Sequence, residues 1–257
     1  MTYYIDTHAH IMAEEYAEDL EDVIRRTEEA HVDRIMIITL SHEETMRALE
    51  FARRDPLKYQ VAAGIFPEDV KDVTEEDWEI FRRTAADPAV TCIGEIGLDY
   101  YWEKDPDIRA LQREFFIKQI DLANELHKPF LVHSRDAIQD TFDIMKEHRG
   151  RGLLHCYSST KEMAKEFIRL GYYIALGGAL TFKNARHSVE VCADIDENYL
   201  LSETDCPYMA PVPYRGKRNE PSYIPLIVRK MAEVRGVSEE HMRDVIAANW
   251  DRFLEVQ

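Results

Sequence analysis

Apolar runs rich in β-branched residues recur along the chain, at roughly 20–40 residues per unit. They read YYIDTHAH (3–10), DRIMIIT (33–39), YQVAAGI (59–65), VTCIGEIG (90–97), KPFLVHS (128–134), RGLLHC (151–156), YYIALGG (172–178) and YLLSETD (199–205). Near-continuous apolar runs are what fully buried parallel strands look like. Between them the pattern changes to helical spacing. In 107–127, Ile108, Leu111, Phe115, Leu122 and Leu126 share one face. Segments 14–30 and 41–54 are acidic early and basic late, as the helix dipole favours. Thr74 can cap a helix that stops before Pro88, and Gly171 ends one over 158–171. Two more helices fill about 221–255. Strand then helix, eight times over, predicts an α/β fold, a (β/α)8 TIM barrel in one domain over 1–257. A doubly wound open sheet is the alternative. It loses support because no Gly-x-Gly-x-x-Gly loop follows the first strand.

In such a barrel the active site lies at the C-terminal ends of the strands. The first run ends in His8 and His10, the fourth holds Glu95, the fifth ends at His133, the sixth at His155 and the eighth at Glu203 and Asp205. Strand alternation turns Asp6, His8 and His10 to one side. Singly, each residue has a bland explanation, such as a hydrogen-bonded core histidine or a solvated carboxylate. Together, four imidazoles and at least two carboxylates exceed what one tetrahedral zinc needs. They suit two divalent cations, with His8, His10 and Asp205 on one, His133 and His155 on the other, and Glu95 bridging. Asp6 would orient a ligand from behind. Asp205 is the candidate general base, and Glu203 would help position it or a substrate group. His31, His127, His148 and His241 stand among charged neighbours and read as surface residues.

Composition narrows the substrate. The formal charge is −17, from 32 basic and 49 acidic residues, so long duplex nucleic acid is repelled at a distance. Against that background PVPYRGKRNEP (211–221) stands out, with Arg215, Lys217 and Arg218 in a loop after the eighth strand. Arginine and lysine there can bind phosphate, as can Arg135, two residues after His133. The alternatives are pairing of the loop with the chain's own acids, and of Arg135 with Asp136 or Asp140. The four cysteines form no Cys-x-x-Cys pair and read as reduced thiols of a cytoplasmic protein. No apolar run is long enough to span a membrane, no secretory signal opens the chain, and no obligate protein partner is evident.

The motifs DTHAH, GEIGLDYY, LVHSRDA, LLHCYS, ETDCPY and APVPYRGKRNEP, in this order across nearly the whole chain, resemble the TatD family of metal-dependent hydrolases. The resemblance implies an amidohydrolase-like barrel and a metal-dependent deoxyribonuclease, with DNA, in particular single-stranded ends or short fragments, as its partner. It maps the family's ligands onto His8, His10, Glu95, His133, His155 and Asp205. The expected cofactors are two divalent cations among Mg, Mn, Zn and Ni. Hydrolysis of a C–N or ester bond in a small molecule or a D-aminoacyl-tRNA is the competing activity, and a metal-dependent scaffold a third reading. Two departures stand out. Phe66 replaces a histidine frequent in the family's third-strand motif, and Ser159 stands where relatives often carry glycine.

Overall fold

A computed structural model describes residues 3–255. The terminal residues of the 1–257 span, Met1 and Thr2 of the opening segment included, lie outside the described residues. Eight parallel strands pair in sequence order: β1 (Tyr4–Ala9), β2 (Val32–Thr39), β3 (Tyr59–Ala63), β4 (Val90–Asp99), β5 (Phe130–Arg135), β6 (Gly152–Leu154), β7 (Tyr173–Leu176) and β8 (Leu200–Ser202). Between them run α1 (Leu20–Glu29), α2 (His42–Ala52), α3 (Glu75–Ala85), α4 (Pro106–Glu125), α5 (Ile138–Glu147), α6 (Lys161–Arg169) and α7 (Arg186–Asp194); α8 (Ile224–Arg235) and α9 (Glu239–Leu254) follow β8. The expected barrel is present. The strands are buried almost throughout, and helices cover them from outside. Thr74 caps α3 in a reciprocal box with Asp77, and Gly171 follows α6 at φ +91°. The first expected helix is shorter than the acidic-to-basic pattern suggested. A 3-10 turn (Glu14–Tyr16) precedes α1, and Arg218 reaches across to the residues between them.

β1 and β8 close the ring with few ladder bonds. The Asp205 amide donates to the His8 carbonyl at 2.9 Å, and the His10 amide to the Cys206 carbonyl at 2.9 Å. Side chains complete the seam: Thr7 Oγ1 donates to the Ser202 carbonyl, Ser202 Oγ to the Ile5 carbonyl, and the Thr204 amide to Asp6 Oδ1. Asp6 and Thr204 stay buried because each satisfies the other.

Two strands carry an extra residue at the point that matters. From Ile93 to Ile96 β4 takes three steps while β5 takes two, from Phe130 to Val132. From Asp6 to Ala9 β1 likewise takes three steps against two on β2, from Ile35 to Ile37. Such bulges re-aim side chains next to active sites. Here they fall at Glu95 and at His8. Close backbone approach makes room for them. A Cβ on Gly64 would sit 2.7 Å from the Glu95 amide nitrogen, and one on Gly97 (φ +140°) would sit 2.0 Å from the His133 carbonyl oxygen.

Gly97→Ala is therefore expected to lower stability by about 2 kcal/mol or more, since backbone must move to admit the methyl group. Gly171→Ala, with nothing within 4 Å of its Cβ, keeps only the cost of a left-handed residue, about 1–2 kcal/mol. Urea denaturation of the two variants measures the difference.

Candidate metal centre

Six donor side chains meet at the C-terminal mouth of the barrel. His8, in the β1 bulge, and His10, just past the strand end, meet with their Nε2 atoms 3.2 Å apart. Both face one oxygen of Glu95, Oε2, at 3.3 and 3.6 Å, and Asp205 Oδ1 at 3.8 and 3.7 Å. The other Glu95 oxygen, Oε1, lies 3.0 Å from His133 Nδ1 and 2.8 Å from His155 Nε2, themselves 3.3 Å apart. Glu95 thus presents one oxygen to each of two nests of nitrogen donors. The nests share a wall, because the His8 and His155 rings stack at 3.8 Å with 10° between their planes.

The donors fit divalent cations. Two imidazole nitrogens 3.2 Å apart cannot both present lone pairs to each other, so a proton or a cation must stand between them. Donors on a tetrahedral ion with bonds of about 2.1 Å are about 3.4 Å apart, which matches the spacings in both nests. His8, His10, Glu95 and Asp205 would hold one ion, and Glu95, His133 and His155 the other.

A second layer fixes the rings. His133 Nε2 donates to Asp99 Oδ2 at 3.0 Å, which leaves Nδ1 free to face the nest. The other Asp99 oxygen accepts from the amides of Tyr101 and Trp102, both at 2.9 Å. The sequence reading passed over Asp99. Its signal was there, in the period-two series Glu95, Gly97, Asp99 that places all three on one side of β4. Glu203 lies fully buried behind His155. Its Oε1 accepts from the Cys156 amide, while Oε2 has no partner and sits 3.9 Å from the equally unpartnered His155 Nδ1. This places Glu203 beside a ligand ring, where the sequence suggested it would assist Asp205. Asp6 touches no ring. It grips the His8 amide and Thr204, and so orients the two strand ends through their backbone. Phe66 packs edge-on against the His133 ring at 5.0 Å.

Burial and neighbouring charge set the proton affinities. Burial alone would raise the Glu95 carboxyl, but His155 and His8 beside it hold it well below the usual range. Burial opposes charge on His155, yet the adjacent Glu95 carries its pKa up to about 10. His8 goes the other way, pushed down by burial and by His155. Burial lifts Glu203 to about 8 and Asp6 to about 7, and raises Asp205.

The proposed phosphate contacts separate into two groups. Arg218 is engaged by both oxygens of Asp19, at 2.8 and 2.6 Å, with its guanidinium over the Tyr16 ring. Its fork is spent on straps within the chain, so the pairing alternative holds for Arg218 and the phosphate role does not. Arg215 lies over Phe182 and is exposed, as is Lys217. Arg135 pairs with neither Asp136 nor Asp140; its guanidinium lies 3.9 Å from the centre of the Tyr101 ring. Beside His155 opens a cavity of about 200 Å³, lined in part by Ser134, Asp136, Ser158 and Ser159.

Comparison with known proteins places this geometry. The sequence profile of the family described as TatD related DNase matches residues 5–255. The chain is 39% identical over 254 residues to the uncharacterized metal-dependent hydrolase YabD of Bacillus subtilis, covering 98% of each chain. Its structure is similar to that of YjjV, a TatD homolog of Escherichia coli, with a TM-score of 0.88 at 26% identity, covering 96% of this chain and 95% of that one. An amidohydrolase from Saccharomyces cerevisiae shares the fold at a TM-score of 0.80 and 16% identity, covering 98% of this chain and 100% of the other.

Because Glu95 keeps His155 protonated in the ion-free protein, metal uptake near pH 7.5 should expel about one proton from that ring, and affinity should rise with pH. Titration calorimetry in buffers of different ionisation enthalpy measures the proton count; no release would contradict the pairing. Asp99→Asn should weaken the ion on the His133 side by about 10–100-fold and leave the His8–His10 side occupied. Metal analysis after graded chelation separates the two.

Proposed function

This chain belongs to the TatD-related DNase family of metal-dependent hydrolases, and on that premise we propose that it hydrolyses phosphodiester bonds at DNA ends, single strands or short fragments above all. The observation that carries this reading is the division of Glu95 between two donor nests. Two divalent cations among Mg, Mn, Zn and Ni, bound in the nests, would acidify a water and polarise a phosphoryl oxygen.

The chain's own groups do the rest. Asp205 stands at the edge of the first nest, held by the His8 carbonyl, and burial raises its proton affinity. That makes it the group to accept the proton of the attacking water. Asp99 keeps the ring of His133 aimed, and Glu203 lies buried beside His155, its free oxygen 3.9 Å from Nδ1. Arg215 and Lys217 on the loop after β8, and Arg135 at the end of β5, hold phosphates next to the reacting one. A surface charge of −17 opposes long polyanions, so the site suits an end that brings only a few phosphates to the mouth. Reduced thiols belong to the same reading, with the protein in the cytoplasm; all four cysteines are unpaired. No helix among the described residues is long and apolar enough to cross a membrane.

The same charge favours a second reading, hydrolysis of an ester or C–N bond in a small molecule or a D-aminoacyl-tRNA, through the same centre. The test sets the two side by side. A single-stranded oligonucleotide with Mg or Mn should be cleaved, His133→Ala should lose at least about 100-fold of that activity, and Arg215→Ala should raise KM more than it lowers kcat. Cleavage that survives His133→Ala, or deacylation of D-Tyr-tRNA with intact oligonucleotide, would overturn the nuclease reading.

A further inference from the structure

The turn that follows β4 carries two large aromatic side chains to the surface at the rim of the metal centre. Tyr101 is 43% exposed and Trp102 62%. The turn itself is anchored. Both amides are held by Asp99, the Tyr100 carbonyl accepts from Arg109 and Lys104, and the Glu103 carbonyl accepts from Arg109. The two rings meet edge to face at 4.8 Å. Arg135 lays its guanidinium 3.9 Å from the Tyr101 centre and 5.5 Å from that of Trp102, and Lys104 Nζ is 5.7 Å from Tyr101. Tyr101 and Arg135 lie against Trp102, yet it stays 62% exposed, so core packing does not explain the anchored turn.

Its position relative to the centre is fixed. Asp99, whose second oxygen orients His133, is the same carboxylate that grips Tyr101 and Trp102. In the β4–β5 ladder Gly97 is level with His133 and Asp99 with Arg135, so the aromatic pair begins, at Tyr101, four residues beyond the level of His133 toward the mouth. Trp102 is three steps along the chain from Asp99, at most about 11 Å. A stacked strand advances about 3.4 Å per nucleotide, so a base within about three nucleotides of the reacting phosphate reaches the pair.

We propose that Tyr101 and Trp102, flanked by Arg135, form a stacking platform for one nucleobase of a single-stranded substrate, close to the bond that is cut. The proposal rests on the nuclease reading above and names a subsite for it. Arg135 is then a dual contact. Its face lies on Tyr101 while its edges remain free for the phosphate that joins the stacked nucleotide to its neighbour. The pairing of an aromatic face with a cation is what strand-binding proteins use to hold bases without reading sequence. In a chain of net charge −17, two cations beside two exposed aromatic rings favour a polyanion with flat bases over an apolar peptide.

The experiment uses metal-loaded enzyme and a set of single-stranded oligonucleotides, each with one abasic residue placed at successive positions from the cleaved end. With wild type, KM should rise by about fivefold or more at one position within the first three or four. In Trp102→Ala that ratio should fall to near one, and Trp102→Phe should restore most of it. A wild type that cleaves every oligonucleotide with the same KM, or a ratio unchanged in Trp102→Ala, overturns the platform and leaves the nuclease reading intact. If wild type cleaves none, the nuclease reading fails, and fluorescence anisotropy of the same oligonucleotides decides the platform. Equal Kd for wild type and Trp102→Ala would then overturn it, and weaker binding by Trp102→Ala alone would support it.

Discussion

A carboxylate that is 3% exposed and still ionised needs positive charge within reach, and Glu95 draws it from two directions. One oxygen faces His8 and His10, the other His133 and His155. Without a cation, protons on the rings must do this work, which is why His155 holds its proton so tightly and His8, stacked on it, gives its proton up. A buried anion among four imidazoles is stable only if their charges sum correctly. Divalent cations satisfy that condition better than shared protons, because each also removes the conflict between ring nitrogens that face one another. Positions of the other groups at the mouth follow from this requirement: Asp205 completes the first nest, Asp99 and Glu203 stand behind the rings of the second, and Asp6 ties the two strand ends that bring His8 to Asp205.

The barrel meets the requirement by local departures from regularity. An ideal alternation would give β4 and β1 an even sequence of inward and outward residues. The bulges at Glu95 and His8 break it, and each re-aims a ligand toward the axis. Gly64 and Gly97 lie where a neighbouring backbone comes too close for any side chain. Asp205 takes a left-handed backbone at φ +56° just after β8, so that its carboxylate turns back over the mouth. Strain of this kind is tolerated at sites that the surrounding fold over-determines.

The barrel, and the gathering of candidate donors at its mouth, were legible in the sequence because both obey short-range rules. Buried parallel strands leave apolar runs, and a strand end leaves its ligand at the end of the run, so His133 and His155 could be read off directly. Asp99 was missed although period two pointed to it, since a carboxylate whose role is to hold a ring and two amides looks like any other loop acid. The basic loop was legible as charge but not as availability. Arg215, Lys217 and Arg218 are adjacent in sequence, yet Arg218 alone meets Asp19, which lies about two hundred residues away. The bulges, too, were hidden, because they are defined by the partner strand. The platform of Tyr101 and Trp102 belongs to the same class: two aromatics in a sequence say nothing of exposure until the turn that carries them is seen.

The charge of the surface and the chemistry of the mouth pull in opposite directions. An acidic exterior opposes extended polyanions, while Arg135 ends β5 and Arg215 and Lys217 stand exposed on the loop after β8. On the proposed reading, this combination favours a short end over a long polyanion. The central claim is that Glu95 bridges two ions. Crystals grown with Mn and measured at its absorption edge give the most direct answer. Two anomalous peaks about 3.5–4 Å apart are expected, one on each side of the Glu95 carboxylate. A single peak, or peaks that do not contact Glu95, would contradict it.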